Sequence, residues 1–340
     1  MINKKKVALQ PTKQSVEANK RLAELNALRI DTKTKIPPVK KALSVYGVCI
    51  LEKEDLVAIK AKQKAGKTTA LKTMVAAWLK GKMFHLESDL KEPKILWIDT
   101  EQKVSDVKKI IDDIQQMTGL DNHYIDSHLK VYTVRKLSYK TLMDDLRLLV
   151  EKYHPHVIII DGIVDFIESF NDETQSHALV NDILVISDVY HCIIICVLHE
   201  NKSRDDPNMR GHLGTLLAQK ASTVLQCKKG DNGDIIVTCS DSRREAIPEW
   251  RIKYDEQGHI VSADGQTFFT IADQRRKALL KIIQESGGSI TRKDLTQKLM
   301  TSLKLSRTTM ANLISKELKD GNLTEVLGMI QPAPELPLDS

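Results

Sequence analysis

The chain has 340 residues, 41% of them hydrophobic and only 4% aromatic, enough for one large domain with appendages or for two domains. Its formal net charge of +6, from 51 Lys and Arg against 45 Asp and Glu, is a mild lean toward polyanions rather than a histone-like excess. No apolar run approaches the ~20 residues of a membrane span, no apolar run follows the basic N-terminus as in a signal peptide, and the five cysteines (Cys49, Cys192, Cys196, Cys227, Cys239) form no C-x-x-C pair. The expectation is a cytoplasmic protein with reduced core cysteines and no membrane partner.

Residues 1–40 are polar and Lys-rich and form a basic arm. Within it "SVEANKRLAELNALRI" carries Val16, Leu22, Leu25 and Leu28 on one narrow stripe of a charged helix, with Ser15 as its cap. That helix either packs on its own domain or docks on a neighbouring subunit. "KIPPVK" breaks the chain after it.

From 45 to 271 apolar runs alternate with helical patterns. "DLVAIKA", "KILWIDTE", "LKVYTV", "HVIIIDG" and "HCIIICVLHE" read as strands. "TTALKTMVAAWLKG", "SDVKKIIDDIQQMTG", "SYKTLMDDLRLLVEKY" and "SHALVNDILVISDVY" read as helices, with Gly81 and Gly119 as stops and Ser105 as a cap. Continuous Ile/Val runs between helices predict a mostly parallel sheet covered on both faces, an α/β fold. "STVLQCKKGDNGDIIVTCS" then predicts a hairpin turning at Asp-Asn-Gly. Residues 272–328 change character: three helical segments and a short β-like piece predict a small α+β domain. The Pro-rich residues 329–340 read as a disordered tail.

The stretch from Ala61 to Thr68 reads A-K-Q-K-A-G-K-T, against the phosphate-loop pattern G-x-x-x-x-G-K-[ST]. It sits between a strand and a helix, where backbone N–H groups and the helix N-terminus can cradle an anion. Ala61, Lys62, Gln63, Lys64, Ala65, Gly66, Lys67, Thr68 and Thr69 are the candidate nucleotide-binding residues. Lys67 would reach the β- and γ-phosphates of ATP, and the Thr68 hydroxyl would hold Mg2+. Alanine replaces the first glycine, which leaves the loop with an altered opening turn. Two further strands end in acids, "ILWIDTEQ" in Asp99 and Glu101 and "VIIIDG" in Asp161. Asp161 is the candidate magnesium aspartate and Glu101 a candidate base. In open α/β sheets the strand ends converge on the ligand.

The order of phosphate loop, "LWIDTEQ", "VIIIDG", "VLHENK" with "MRGHLGT", hairpin and "SRR" resembles the RecA-like ATPase superfamily. The similarity is greatest to plasmid RepA-type hexameric helicases and related mobile-element ATPases. It covers about 45 to 260, and "HENKSRDDPNMRGHLGT" is its most distinctive piece. The resemblance implies a RecA-like core that hydrolyses ATP at the subunit interfaces of a homo-oligomer, a hexameric ring, on single-stranded DNA. It implies that Glu101 orients the attacking water, that His199 senses the γ-phosphate, and that Arg243 or Arg244 is an arginine finger reaching a neighbour's ATP. In this fold the loops after the third and fourth core strands face the DNA. The first, "IVDFIESFNDETQS", is acidic. The second holds Lys202, Arg204 and Arg210, whose cations either contact phosphates or, for Arg210, pair with Asp205 or Asp206. The C-terminal segments resemble a winged helix, with "SRTTMANLISKELKDG" as recognition helix exposing Arg307 and Lys316 and "NLTEV" starting the wing. Two functions fit: an ATP-driven helicase or translocase of a plasmid or mobile element, or a DNA-binding ATP switch that does not unwind.

Overall fold

The computed structural model describes residues 13–35, 40–201, 208–263, 271–303 and 307–333. The chain separates into a short unit, Met1–Val39, and a large one, Lys40–Ser340. The short unit holds helix α1 (Lys13–Ala27). Leu22, Leu25 and Leu28 on it and just beyond it are exposed.

The large unit opens with β1 (Lys41–Val45), β2 (Val48–Glu52) and β3 (Leu56–Ala61), then α2 (Lys67–Lys80), β4 (Lys82–Met83) and β5 (Leu86–Glu87). Next come β6 (Ile95–Asp99), α3 (Val104–Thr118), α4 (Asn122–His128), β7 (Leu129–Thr133), α5 (Tyr139–Tyr153) and β8 (Val157–Asp161). A 3-10 turn (Ile163–Phe166) leads to α6 (Glu173–Tyr190), β9 (Ile193–His199), α7 (Gly211–Lys220), β10 (Thr223–Lys229), β11 (Ile235–Ser242), β12 (Trp250–Tyr254) and β13 (Ile260–Ser262). Nine strands form one sheet in the order β13-β12-β11-β10-β3-β9-β8-β6-β7. From β10 to β7 every pairing is parallel, and β11 to β13 are added antiparallel. This is a mostly parallel α/β core. β9 lies between the phosphate-loop strand β3 and the aspartate strand β8.

The two faces of the sheet explain the unbroken Ile/Val runs. Ile59, Trp97, Ile159 and Ile195 pack to one side with Leu71, Met74 and Trp78 of α2 and Ile110 and Ile114 of α3. Ala58, Ile98, Ile160 and Ile194 pack to the other with Leu146 of α5, Ile183 of α6 and Leu213 of α7. A four-stranded sheet, β2-β1-β5-β4, flanks the first face, tied to it where the Trp78 indole donates to Ala42 O at 3.1 Å. The core thus begins at Lys41, four residues before the boundary read from the sequence. Ser105 does not cap α3: the helix starts one residue earlier, with Lys103 at its N-cap.

The C-terminal part consists of α8 (Ile271–Glu285), β14 (Ile290–Thr291), α9 (Arg292–Leu303), α10 (Arg307–Lys319), β15 (Leu323–Val326) and β16 (Met329–Pro332). Three helices and the antiparallel sheet β14-β16-β15 surround their own core of Leu279, Ile283, Leu295, Leu299, Met310, Ile314, Leu323 and Ile330. Residues 329–332, assigned to the tail on composition, instead form β16, because fully buried Ile330 anchors them. Among the described residues no helix is long and apolar enough to cross a membrane. Cys192, Cys196 and Cys227 are buried free thiols, each pushed up to about 12 by that burial.

Arg244 closes the large sheet onto the start of the phosphate-loop strand. Its guanidinium lies 2.8 Å from the carboxylates of both Glu52 and Asp55. Removing the arginine leaves two partly buried acids without their cation, at a cost of up to about 3 kcal/mol. Arg244→Met is therefore expected to lower the midpoint of denaturant unfolding at unchanged slope, and adding Asp55→Asn should recover part of the loss. An unfolding midpoint equal to wild type would show that the cluster does not hold the sheet.

Candidate nucleotide site

Parallel register brings the chemistry-bearing strand ends level. Ala61 of β3 pairs with His199 of β9, Asp161 of β8 with Val197 of β9, and Asp99 of β6 with Asp161. The loop from Lys62 to Gly66 leaves β3 at this edge and enters α2. Ala61 is fully buried between β9 and β10 and is still part of the strand. It is not among the residues with positive φ, so the glycine of the usual pattern is not needed there and the alanine methyl is accommodated. Gly66 is needed. It sits at φ 95°, and a Cβ there would meet the Ile235 side chain at 2.5 Å. Lys64 is also left-handed, at φ 61°, a strained position of the kind that collects at ligand loops.

The loop presents what an anion requires. Gly66 caps α2 without a side-chain hydrogen bond, so the helix's first N–H groups meet no capping oxygen from it. Lys62, Gln63 and Lys64 are exposed, whereas Ala65, Lys67 and Thr69 are buried. The Lys67 ammonium lies 3.0 Å from Nδ1 of His199. An ammonium can only donate, so Nδ1 accepts and Nε2 carries the ring proton. Nε2 in turn lies 3.6 Å from the Glu101 carboxylate. The Thr68 hydroxyl donates to Asp161 at 3.3 Å. Sequence-predicted Lys67, Thr68, Glu101, Asp161 and His199 therefore meet in one constellation. It fits a magnesium nucleotide, because a threonine hydroxyl beside one carboxylate leaves the ion's other positions to phosphate and water.

The electrostatics are strained in a specific way. Burial, and behind it the charges of Asp99 and Glu101, pushes the Asp161 carboxyl up to about 7 against the opposing pull of Lys67 and the Thr68 hydroxyl. Burial lowers the Lys67 ammonium, with Asp161 and Glu101 resisting. The His199 ring 3.6 Å away holds Glu101 below the usual carboxylate range despite partial burial. Asp99 points elsewhere: it accepts from the Glu101 and Gln102 N–H groups at 3.1 and 2.7 Å and from the Gln102 amide at 2.6 Å. It sets the turn that aims Glu101, while burial raises its own carboxyl. Gly162, at φ 109°, lets Thr100 close on the end of β8, where a Cβ would come 2.0 Å from the Thr100 hydroxyl.

A second network supports the loop from behind. The Lys72 ammonium, on the buried side of α2, pairs with Asp113 of α3 at 2.6 Å. The Tyr254 hydroxyl of β12 lies 3.0 Å from the Thr69 hydroxyl and 3.3 Å from Lys72. Lys72 and Asp113 were visible as charges at apolar positions of two amphipathic helices; Tyr254 had no local signal.

The remaining candidates lie apart from this constellation. Arg243 is exposed, and its guanidinium donates to the carbonyls of Gln219 and Lys220 at 3.3 and 3.4 Å. Its N–H bonds Ser222, whose own N–H bonds Leu56, the first residue of β3. The length of β3, about 16 Å at strand rise, separates Arg243 from the phosphate loop of its own chain. Arg210, at the N-cap of α7, stacks its guanidinium 4.5 Å from the Phe170 ring centroid. It lines a cleft of about 510 Å³ together with Lys62, Gln63, His199, Glu200 and Asn201. Lys202 and Arg204, and the possible partners Asp205 and Asp206, lie outside the described residues. The ends of their loop are pinned where Glu200 bridges Met209, and where the Gln226 amide donates to Glu200 at 2.5 Å. Arg307 and Lys316 are exposed on α10.

The raised Asp161 carboxyl has a measurable consequence. An unfolded aspartate titrates near 3.8 and the folded one near 7, so proton uptake favours the fold. That stabilisation is complete at low pH and is lost as pH rises through 7. Asp161→Asn removes the penalty. In nucleotide-free buffer with chelator its melting temperature should exceed wild type at pH 8, and the gap should close toward pH 4. A variant that melts below wild type at pH 8 would refute the strained carboxylate.

Residues 18–205 match the AAA domain family. No curated protein matches the chain. Among solved structures, 618 chains match. One is the crystal structure of the RadB recombinase, at 15% identity and a TM-score of 0.46, covering 62% of this chain and 92% of that chain. With more than half of its length inside the match, and the phosphate loop within it, the chain belongs to the AAA domain family of P-loop ATPases.

Proposed function

We propose that the protein is a DNA-dependent ATPase that works as a ring, a helicase or translocase akin to plasmid RepA-type and other mobile-element enzymes. The observation that carries this reading is the continuous chain Lys67–His199–Glu101, beside Thr68–Asp161, at the level ends of β3, β6, β8 and β9. Lys67 and the loop N–H groups hold the phosphates of ATP. Thr68 and Asp161 would hold Mg2+, which when bound neutralises phosphate charge. Glu101, kept ionised by His199, orients the attacking water and accepts its proton. His199 spans Lys67 and Glu101, so a γ-phosphate that draws Lys67 away also changes the partner of Nδ1. This supports its role as the nucleotide sensor. Arg210, together with Lys202 and Arg204 from the same sequence segment, is assigned to single-stranded DNA.

Arg243 supports the ring. It is too far from its own loop to act there, while Arg244 is taken up by Glu52 and Asp55, so the finger is assigned to Arg243, acting in a neighbour. The number of subunits proposed, six, rests on the family resemblance. The C-terminal part, a three-helix unit with a hairpin, supports a winged-helix-like module. It also favours the second reading, a DNA-bound ATP switch without unwinding.

Lys67→Ala should abolish ATP binding in a folded protein. Glu101→Gln should bind ATP and hydrolyse it about 10²–10⁴-fold more slowly. Binding by fluorescent nucleotide and phosphate release, with and without single-stranded DNA, check both; near-normal turnover in Glu101→Gln would move the base elsewhere.

Arg243→Ala should bind ATP and lose hydrolysis by about 10³-fold or more, the range of a finger supplied in trans. Mixed with Lys67→Ala it should regain activity, since one interface then combines an intact arginine with an intact loop. A titration in which no mixture exceeds the sum of its parts would remove the shared site and leave the switch.

A further inference from the structure

Helix α2 is enclosed on every side: each residue from Thr69 to Leu79 is buried. A helix in such a setting is expected to be apolar all round, yet it carries Lys72. The Lys72 ammonium meets Asp113 of α3 at 2.6 Å, and the two side chains are only 7% and 11% exposed. Their surroundings are core residues, Leu71 and Met74 on α2 and Ile110 and Ile114 on α3. Among the described residues no other hydrogen bond or ion pair joins these two helices.

Stability does not account for the pair. Two charges so placed lose their hydration, and apolar side chains of the same volume would leave the fold as stable or more so. What the charges add is direction. Contacts among Leu71, Met74, Ile110 and Ile114 are non-directional and tolerate a small slide of one helix along the other. An ammonium and a carboxylate at hydrogen-bond distance allow one register.

That register bears on the nucleotide site. Lys72 lies five residues beyond Lys67, about 7.5 Å along α2. Asp113 lies nine residues beyond Val104, about 13.5 Å along α3, and the turn that aims Glu101 runs straight into that helix through its N-cap, Lys103. Asp99 holds the turn on the strand side, as does the Thr133 hydroxyl, which donates to Gln102 O at 3.1 Å. Lys72 and Asp113 hold it on the helix side. The Tyr254 hydroxyl closes the arrangement, 3.3 Å from the Lys72 ammonium and 3.0 Å from the hydroxyl of Thr69, a residue of the loop's own end.

We propose that Lys72 and Asp113 are positioning residues for ATP hydrolysis: their ion pair, with the Tyr254 hydroxyl, sets α3 and the Glu101 turn in register with the helix that carries Lys67 and Thr68. This rests on the reading that Glu101 orients the attacking water. A displacement of about 1 Å at a reacting group costs up to about 10²-fold in rate. The pair therefore governs turnover, while ATP binding depends on Lys67 and the loop.

The test uses the full chain with Lys72→Met and Asp113→Leu combined, which fills the same space without charge. Its urea unfolding midpoint should be no lower than wild type, its KM for ATP should stay within about threefold, and its kcat should fall about tenfold or more. Affinity for MgADP with aluminium fluoride, a mimic of the transition state, should fall by the same factor, and affinity for MgADP alone should not. In a Glu101→Gln background the same two substitutions should cost less than about twofold more, because groups that act through one another are not additive. Tyr254→Phe changes a ring that is 43% exposed and should lower kcat about threefold at unchanged KM. Glu101→Gln alone tests the underlying reading: normal hydrolysis there would remove the site assignment. If Glu101→Gln is inactive and the stable apolar pair turns over at the wild-type rate, the positioning role falls and the site stands. A further loss of about tenfold in the Glu101→Gln background would also overturn the proposal, since the pair would then act on another group. Should the apolar pair not fold, Tyr254→Phe decides: wild-type kcat with unchanged aluminium fluoride affinity would overturn it as well.

Discussion

The parallel register of β3, β9, β8 and β6 is the constraint from which the site follows. Each strand is buried on both faces, so none can slip by one residue without turning its whole apolar set over. Leu198 on one face and Val197 on the other fix His199 at the edge beside Ala61, and the pairing of β8 with β6 fixes Asp161 beside Asp99. The lysine, the histidine and the acids come from segments up to 132 residues apart in the chain. Their separations of about 3 Å are set by sheet packing and not by the loops that carry them.

That positioning has an electrostatic cost, and the arrangement shows where it falls. Two carboxylates, Asp161 and Glu101, act on one lysine at the strand edge, and the buried Asp161 bears the strain. A divalent cation is the natural relief for such a group, so the empty fold and the loaded one have opposite preferences for its proton. Glu101 is spared because His199 stands against it. Two acids one strand apart thus acquire different chemistry from their immediate neighbours alone, which is the pattern expected of a functional pair.

Much of this was legible in the sequence, for identifiable reasons. Ile-rich runs ending in acids declare buried parallel strands and their chemical ends, and A-G-K-T-T declares the loop. The meaning of Ala61 was not legible: a pattern counted from sequence treats it as a turn residue, but the strand continues through it. Nor was the difference between Arg243 and Arg244, adjacent residues separated only by which acids the fold brings to Arg244. Tyr254 could not be found from its neighbours, since its partners Thr69 and Lys72 lie more than 180 positions away. The bond from Arg292 to Ser315 escaped because the two residues lie on different helices. Residues 329–332 escaped because a Pro-rich context masked the one isoleucine that anchors them.

The placement of the three tryptophans gives the protein an optical asymmetry. Trp78, Trp97 and Trp250 are all fully buried, and all lie in the apolar layer on the α2 side of the large sheet. The C-terminal unit contains none. Intrinsic indole fluorescence is therefore a selective signal for the layer beneath the phosphate loop. Excited at the red edge, the protein would report the melting of that layer and remain dark to events in the C-terminal helices. A difference between the fluorescence transition and the loss of helical circular dichroism would thus measure directly whether the two parts unfold as one cooperative body.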